Sequence, residues 1–261
     1  MPAKKAAPKK AAKSSSLNAI IAKPATKAPT KSKDKFDAKR DLAPQRVAEI
    51  LTRLAAAYPN AECALHHRNA WELLVATILS AQCTDVRVNM VTPELFRQFP
   101  TPKAMSDASQ PALEEIIRST GFYRNKAKSI LGAAKKITND FGGKVPRTLA
   151  ELTTVPGAAR KTANVVLGVA YGLAEGVVVD THVLRISRRL HLTQATEPKQ
   201  VEQDLMKIIP KDHWIAYSHE IIHHGRQICI ARKPKCADCT LETVCTSGDK
   251  TWSSGKIWPN D

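Results

Sequence analysis

The chain has 261 residues, with 40 Lys and Arg against 24 Asp and Glu and a formal net charge of +16. That length suffices for one large domain or two small ones with a sizeable core. The longest apolar stretch, residues 163–179, holds three glycines and is broken by Glu175, so it falls short of the roughly 18 uncharged residues of a membrane span. With no membrane segment and no secretory signal, a cytoplasmic, reducing compartment is expected, and the six cysteines read as metal ligands or buried thiols rather than disulfides.

The charge is uneven. Residues 1–40 carry 12 Lys and Arg against 2 Asp, a net of +10. Built from Lys, Ala, Pro, Ser and Thr with no periodic apolar face, residues 1–41 cannot bury enough surface to fold and are expected to be a disordered basic tail. Such an arm reads as a counterion-releasing nucleic-acid contact; a solubilising extension is the plain alternative. Its preference for Lys over Arg argues against a mitochondrial transit peptide.

From residue 44 the pattern is helical. Val47, Ile50, Leu51 and Leu54 form one apolar stripe, and comparable patterns run through residues 71–79, 85–99, 111–117, 125–141 and 201–209. The β-branched run at 177–179 is too short to build a sheet. Pro and Gly punctuate these segments, predicting an all-α bundle with short loops.

Thr148 and Glu151 fit a capping box opening a short helix, after which VPGAARKTANVV at 155–166 starts as a tight bend and ends as an apolar helix. Helix, bend, helix reads as a helix-hairpin-helix whose backbone amides would bind a phosphate, although a plain turn between packed helices looks similar. Lys161 stands in the first turn of the second helix, where the macrodipole disfavours a cation by roughly 0.3–1 kcal/mol. In VVVDTHV, Asp180 is a natural N-cap for the helix that follows. Brought near Lys161, its carboxylate would instead serve a nucleophilic amine, with partial burial and the dipole pulling the lysine pKa down.

Cys229, Cys236, Cys239 and Cys245 lie within 17 residues. Four thiolates suit zinc or a 4Fe-4S cluster, and only the Cys236–Cys239 gap has the spacing of a zinc knuckle. Arg232, Lys233 and Lys235 between them would make a pinned, cationic, phosphate-binding loop.

Together, the C-x6-C-x2-C-x5-C spacing, the PG-x-x-RKTA hairpin, the VDTH segment and LLVATILSAQCTD at 73–85 resemble the endonuclease III family over residues 45–248. The resemblance implies a bifunctional DNA glycosylase and AP lyase of base excision repair. Its fold would be two helical lobes: a six-helix barrel with the hairpin over residues 64–174, and a cluster lobe from the first helix at 42–63 plus residues 175–261, with a DNA-binding cleft between them. Lys161 matches the nucleophile that attacks C1′, expels the base and forms a Schiff base, and Asp180 matches the carboxylate that assists it. The four cysteines match the ligands of a 4Fe-4S cluster. Gln82 and Phe122 match side chains that enter the gap left by a flipped base, His182 a histidine near the lesion pocket, and Gly157 and Ala159 the DNA-gripping hairpin. Their plain alternatives are a helix cap for Gln82, core for Phe122 and helix surface for His182, while Cys63 and Cys83 read as buried thiols.

The implied partner is double-stranded DNA carrying oxidised pyrimidines or abasic sites, bound by a monomer in the cytoplasm at the nucleoid. Adenine-type glycosylases of the same fold usually lack the lysine and extend further, so Lys161 and the end at Asp261 weigh against them. A catalytically silent, cluster-bearing DNA-binding protein would have no need of both Lys161 and Asp180. The chain also departs from the pattern: Gly157-Ala158-Ala159 replaces Gly-x-Gly, which costs on the order of 1 kcal/mol if the third position needs positive φ. Phe122 replaces a smaller aliphatic wedge, Cys83 stands where alanine is usual, and the segment with Trp252 and Trp258 has no counterpart.

Overall fold

The computed structural model describes residues 36–251. The remaining tail and the segment with Trp252 and Trp258 lie outside the described residues. Within the described residues regular structure is helical throughout, and the β-branched run at 177–179 forms no strand.

The N-terminal helix α1 (Ala38–Asp41) corrects the expected tail boundary: its last residues are folded. Asp41 is fully buried and accepts from the Arg40 guanidinium, the Asp37 N–H and the Thr246 hydroxyl. Arg46 Nη1 donates to its carbonyl. A carboxylate so partnered holds the chain where composition alone predicts disorder.

Next, α2 (Pro44–Ala57) starts on a proline at N1 and buries Val47, Ile50, Leu51 and Leu54, the predicted stripe. The third helix, α3 (Ala70–Leu79), is apolar nearly all round and buried on every side, as a central helix must be. Around it stand α4 (Asp85–Gln98), α5 (Pro102–Ser106), α6 (Gln110–Ile117), α7 (Tyr123–Asp140), α8 (Leu149–Leu152) and α9 (Arg160–Tyr171). Thr84, Thr101, Ser109 and Thr148 each cap the helix that follows with a side-chain oxygen. Residues from Leu65 to Leu167 form one hydrophobic core.

A second core joins α2 to residues after the first block: Val177 and Val179, α10 (Thr181–Arg189), α11 (Pro198–Ile208), α12 (Trp214–Gln227) and Leu241. Among the described residues, segments before and after the first block thus share one core, and the other is built between them. The apolar patterns mark α2, α3, α4, α6, α7 and α11. They omit α5, which has five residues, and α12, whose buried face mixes Trp214, Tyr217 and Ile221 with Ser218, Glu220 and His224.

Candidate active site and nucleic-acid interface

In the hairpin, Thr148 Oγ1 accepts from the Glu151 N–H at 3.2 Å, and the Ala158 N–H closes the bend on the Val155 carbonyl at 3.0 Å. Gly157 has φ +81°, and a Cβ there would stand 3.0 Å from Ile78 Cδ1, so backbone and packing both demand glycine. Ala159 is different. Its φ of −62° and ψ of 166° are ordinary extended values, so alanine in place of the family's second glycine carries no strain. It is the N-cap of α9 and provides no side-chain cap, leaving the first-turn amides to another acceptor.

The two cations that begin α9 part ways. Arg160 turns to Glu202 of α11, with Nε and Nη2 2.8 and 3.0 Å from its carboxylate oxygens. The same carboxylate accepts from Asn164 Nδ2 at 2.8 Å. Lys161 turns instead into a cleft open to solvent and lined from both cores. Its side chain is exposed, so the partial burial expected from the sequence is absent.

Asp180 lines the same cleft. It is also the N-cap of α10: Oδ1 accepts from the His182 and Val183 N–H groups, both at 2.8 Å, and Oδ2 lies 2.9 Å from His182 Nδ1. Capping and a role beside Lys161 are therefore compatible, because the cap fixes the direction of the carboxylate. His182 does not line the cleft. Its ring packs on α12 so closely that a Cβ at Gly225 would stand 2.7 Å from its Cδ2.

Gln82 and Phe122 come together although 40 residues separate them. Both line a depression that Gly157 also borders, and both hold left-handed backbone, at φ 52° and 49°. That conformation costs a non-glycine residue roughly 1–2 kcal/mol, and such strain collects at functional sites. Phe122 is 65% exposed, which excludes the core reading, and Gln82 is exposed and caps no helix. Beneath them, buried Lys126 donates to the Thr120 carbonyl at 2.8 Å.

After α12 the four cysteines Cys229, Cys236, Cys239 and Cys245 line one pocket with Arg189 and His224. Arg189 Nη1 donates to Cys229 Sγ at 3.4 Å and to the Ile230 carbonyl at 2.8 Å; the Thr251 N–H donates to Cys236 Sγ at 3.4 Å. Burial pushes the Cys229 and Cys245 thiols up and Cys239 to about 12. Among the described residues no three Cys, His, Asp or Glu side chains gather as ligands of a single ion. Tetrahedral zinc at about 2.3 Å from each sulfur would need thiolates roughly 3.8 Å apart. Arg232, Lys233 and Lys235 are exposed on the loop between the first two thiols, pinned by the Lys235 N–H on the Ile228 carbonyl at 3.0 Å. Cys63 and Cys83 lie elsewhere, half-buried against the first core.

Sequence reasoning missed Glu62 and, on α12, His219 and His223, which also line the cleft. The one available signal was the i, i+4 spacing of the two histidines, which puts them on one helix face.

Residues 75–211 match the HhH-GPD superfamily of base excision DNA repair proteins. The endonuclease III of Synechocystis sp. is 55% identical over 203 residues, covering 78% of this chain and 93% of that protein. That of Bacillus subtilis is 43% identical over 214 residues, covering 82% and 97%. The solved structure of a trapped endonuclease III–DNA covalent intermediate superposes with a TM-score of 0.74 at 43% identity, covering 79% of this chain and 97% of that one. With the hairpin, the cleft and the four-cysteine pocket in family order, the chain belongs to the endonuclease III family of base excision repair DNA glycosylases with AP lyase activity.

Proposed function

We propose that the cleft is the lesion pocket and that Lys161 is its nucleophile. The Lys161 amine adds to C1′ of the damaged nucleoside as the C1′–N bond breaks, and its electron pair leaves with the base, which takes up a proton. Opening of the sugar ring gives the imine. Loss of a C2′ proton then expels the 3′ phosphate, cutting the strand. Asp180, held by two backbone N–H bonds, supports the positive charge that grows on the sugar. The observation that carries this reading is that Lys161 and Asp180 open onto one cleft from different cores.

Gln82 and Phe122 are poised to fill the gap left by the extruded base, Gly157 and Ala159 to grip a phosphate, and His182 to orient Asp180. The substrate is double-stranded DNA with an oxidised pyrimidine or an abasic site, handled by a monomer in the cytoplasm, at the nucleoid. The two lobes divide near residues 64 and 174, one lobe for each core.

The thiols of Cys229, Cys236, Cys239 and Cys245 would hold a 4Fe-4S cluster. Its ligands each take a different iron and so stand further apart than those of zinc, and the Arg189 and Thr251 N–H groups suit charged sulfur. When bound, the cluster would pin the loop that presents Arg232, Lys233 and Lys235 to the DNA backbone. The protein should purify brown with about four irons per chain, whereas a colourless, fully active protein with stoichiometric zinc would contradict the assignment.

Lys161→Ala should lose both base release and nicking of an abasic duplex while still binding damaged DNA. Asp180→Asn should bind well and turn over very slowly. Wild-type nicking by Lys161→Ala would reduce the residue to a phosphate contact.

A further inference from the structure

The proposed chemistry uses Lys161 and Asp180 and leaves other residues of the cleft lining without a task. Of the other polar groups of the lining, Asp85 is paired with Arg226 at 2.7 Å and Asn164 Nδ2 with Glu202, while Asn164 Oδ1 is buried without a partner. Glu62, His219 and His223 differ. Among the described residues, no hydrogen bond within the protein engages any of these three side chains, although all three line the cleft. Glu62 is exposed and the two histidines are half-buried, so all three polar groups are open to a ligand that enters the cleft beside Lys161.

This part of the lining is ordered. His219 and His223 sit one turn apart on α12, which is anchored through buried Trp214, Tyr217 and Ile221, and Tyr58 stands 6.3 Å from the His223 ring. Burial pushes the His219 imidazole below its ordinary pKa, His223 pushes the same way, and Glu62 opposes them; the neutral ring is therefore favoured. A neutral imidazole offers one donor and one acceptor, and a carboxylate offers acceptors only. The edge of a pyrimidine alternates ring or exocyclic N–H groups with carbonyl oxygens, and oxidation of the 5,6 bond adds hydroxyl donors. Apolar Val165, Val169 and Ile222 line the cleft for the ring faces.

We propose that Glu62 and His219, seconded by His223, form the base-reading wall of the pocket and determine which ring-oxidised pyrimidines are accepted, by hydrogen-bonding to the polar edge of the extruded base. This rests on the cleft being the lesion pocket. Its signature is a split between two activities of one site. Base release needs the base to be read, whereas cutting at a preformed abasic site presents no base to read.

The test is single-turnover kinetics of the full-length holoenzyme on duplexes of one sequence. These carry a thymine glycol, a 5-hydroxycytosine or a preformed abasic site. His219→Ala and Glu62→Ala should each lower the ratio of base release to abasic-site cutting by tenfold or more and change the order of preference between the two lesions. His219→Gln, which keeps a donor and an acceptor, should recover part of the loss. Ratios within twofold of wild type on both lesions would overturn the proposal. Should His219→Ala melt below the assay temperature, Glu62→Ala and His219→Gln carry the same readout. A wild-type protein that neither releases base nor cuts abasic DNA, or undiminished cutting by Lys161→Ala, would instead remove the lesion-pocket reading itself.

Discussion

Gly157 and Ala159 sit two residues apart in one hairpin, yet they answer opposite demands. Gly157 needs positive φ and has no room for a Cβ; Ala159 needs neither. Gly157→Ala should therefore destabilise the protein by about 1–3 kcal/mol, the sum of left-handed strain and a tight contact with Ile78. Ala159→Gly should change stability by less than about 1 kcal/mol. Chemical denaturation of both variants checks the contrast, and equal losses would contradict the backbone assignment. At Lys161 the sequence posed a question about a cation at the wrong end of a dipole. Arg160 beside it is neutralised by Glu202, so the pair divides into one cation that ties α9 to α11 and one left free to face the cleft.

At the scale of elements, the short helix α1 is held by the Asp41 carboxylate. Burial alone would raise its pKa, but hydrogen bonds from Arg40, Asp37 and Thr246 outweigh it and hold it at about 2, against 3.8 for the free side chain. A depressed folded-state pKa stabilises the fold above the unfolded value, and that contribution is lost as pH falls from about 4 through 2. At neutral pH it amounts to about 2 kcal/mol. Asp41→Asn should lower stability at pH 7 by up to that amount and flatten the acid limb of a urea-denaturation series; an unchanged pH profile would refute the linkage.

Elements with a clean apolar stripe, such as α2, were legible because their buried faces are purely hydrophobic. Helix α12 was not, since its buried face carries Ser218, Glu220 and His224, and polar atoms satisfied by tertiary partners erase the periodic signal. Lys161, Asp180 and the four thiols stand out in the sequence because each is carried by a short local pattern. Glu62, His219 and His223 do not, because nothing local links a loop before α3 to a helix 150 residues later.

For the molecule as a whole, charge and chemistry occupy different parts of the chain. Residues 1–35 carry 10 Lys against one Asp and contain no aromatic residue, so they add charge without a means of reading bases. Removing them should weaken binding to damaged and undamaged duplex alike, and should flatten the plot of log affinity against log salt by about 0.9 for each phosphate that the arm no longer neutralises. An unchanged slope would show that the tail does not touch DNA. In the folded body, by contrast, the proposed chemistry depends on a covalent bond to a single nitrogen, that of Lys161. Borohydride added during reaction with a lesion-bearing duplex, followed by proteolysis and mass mapping, tests this most directly. One sugar adduct is expected, on the peptide containing Lys161 and absent from Lys161→Ala; an adduct on any other lysine, or strand cutting with no adduct at all, would contradict a Lys161 nucleophile.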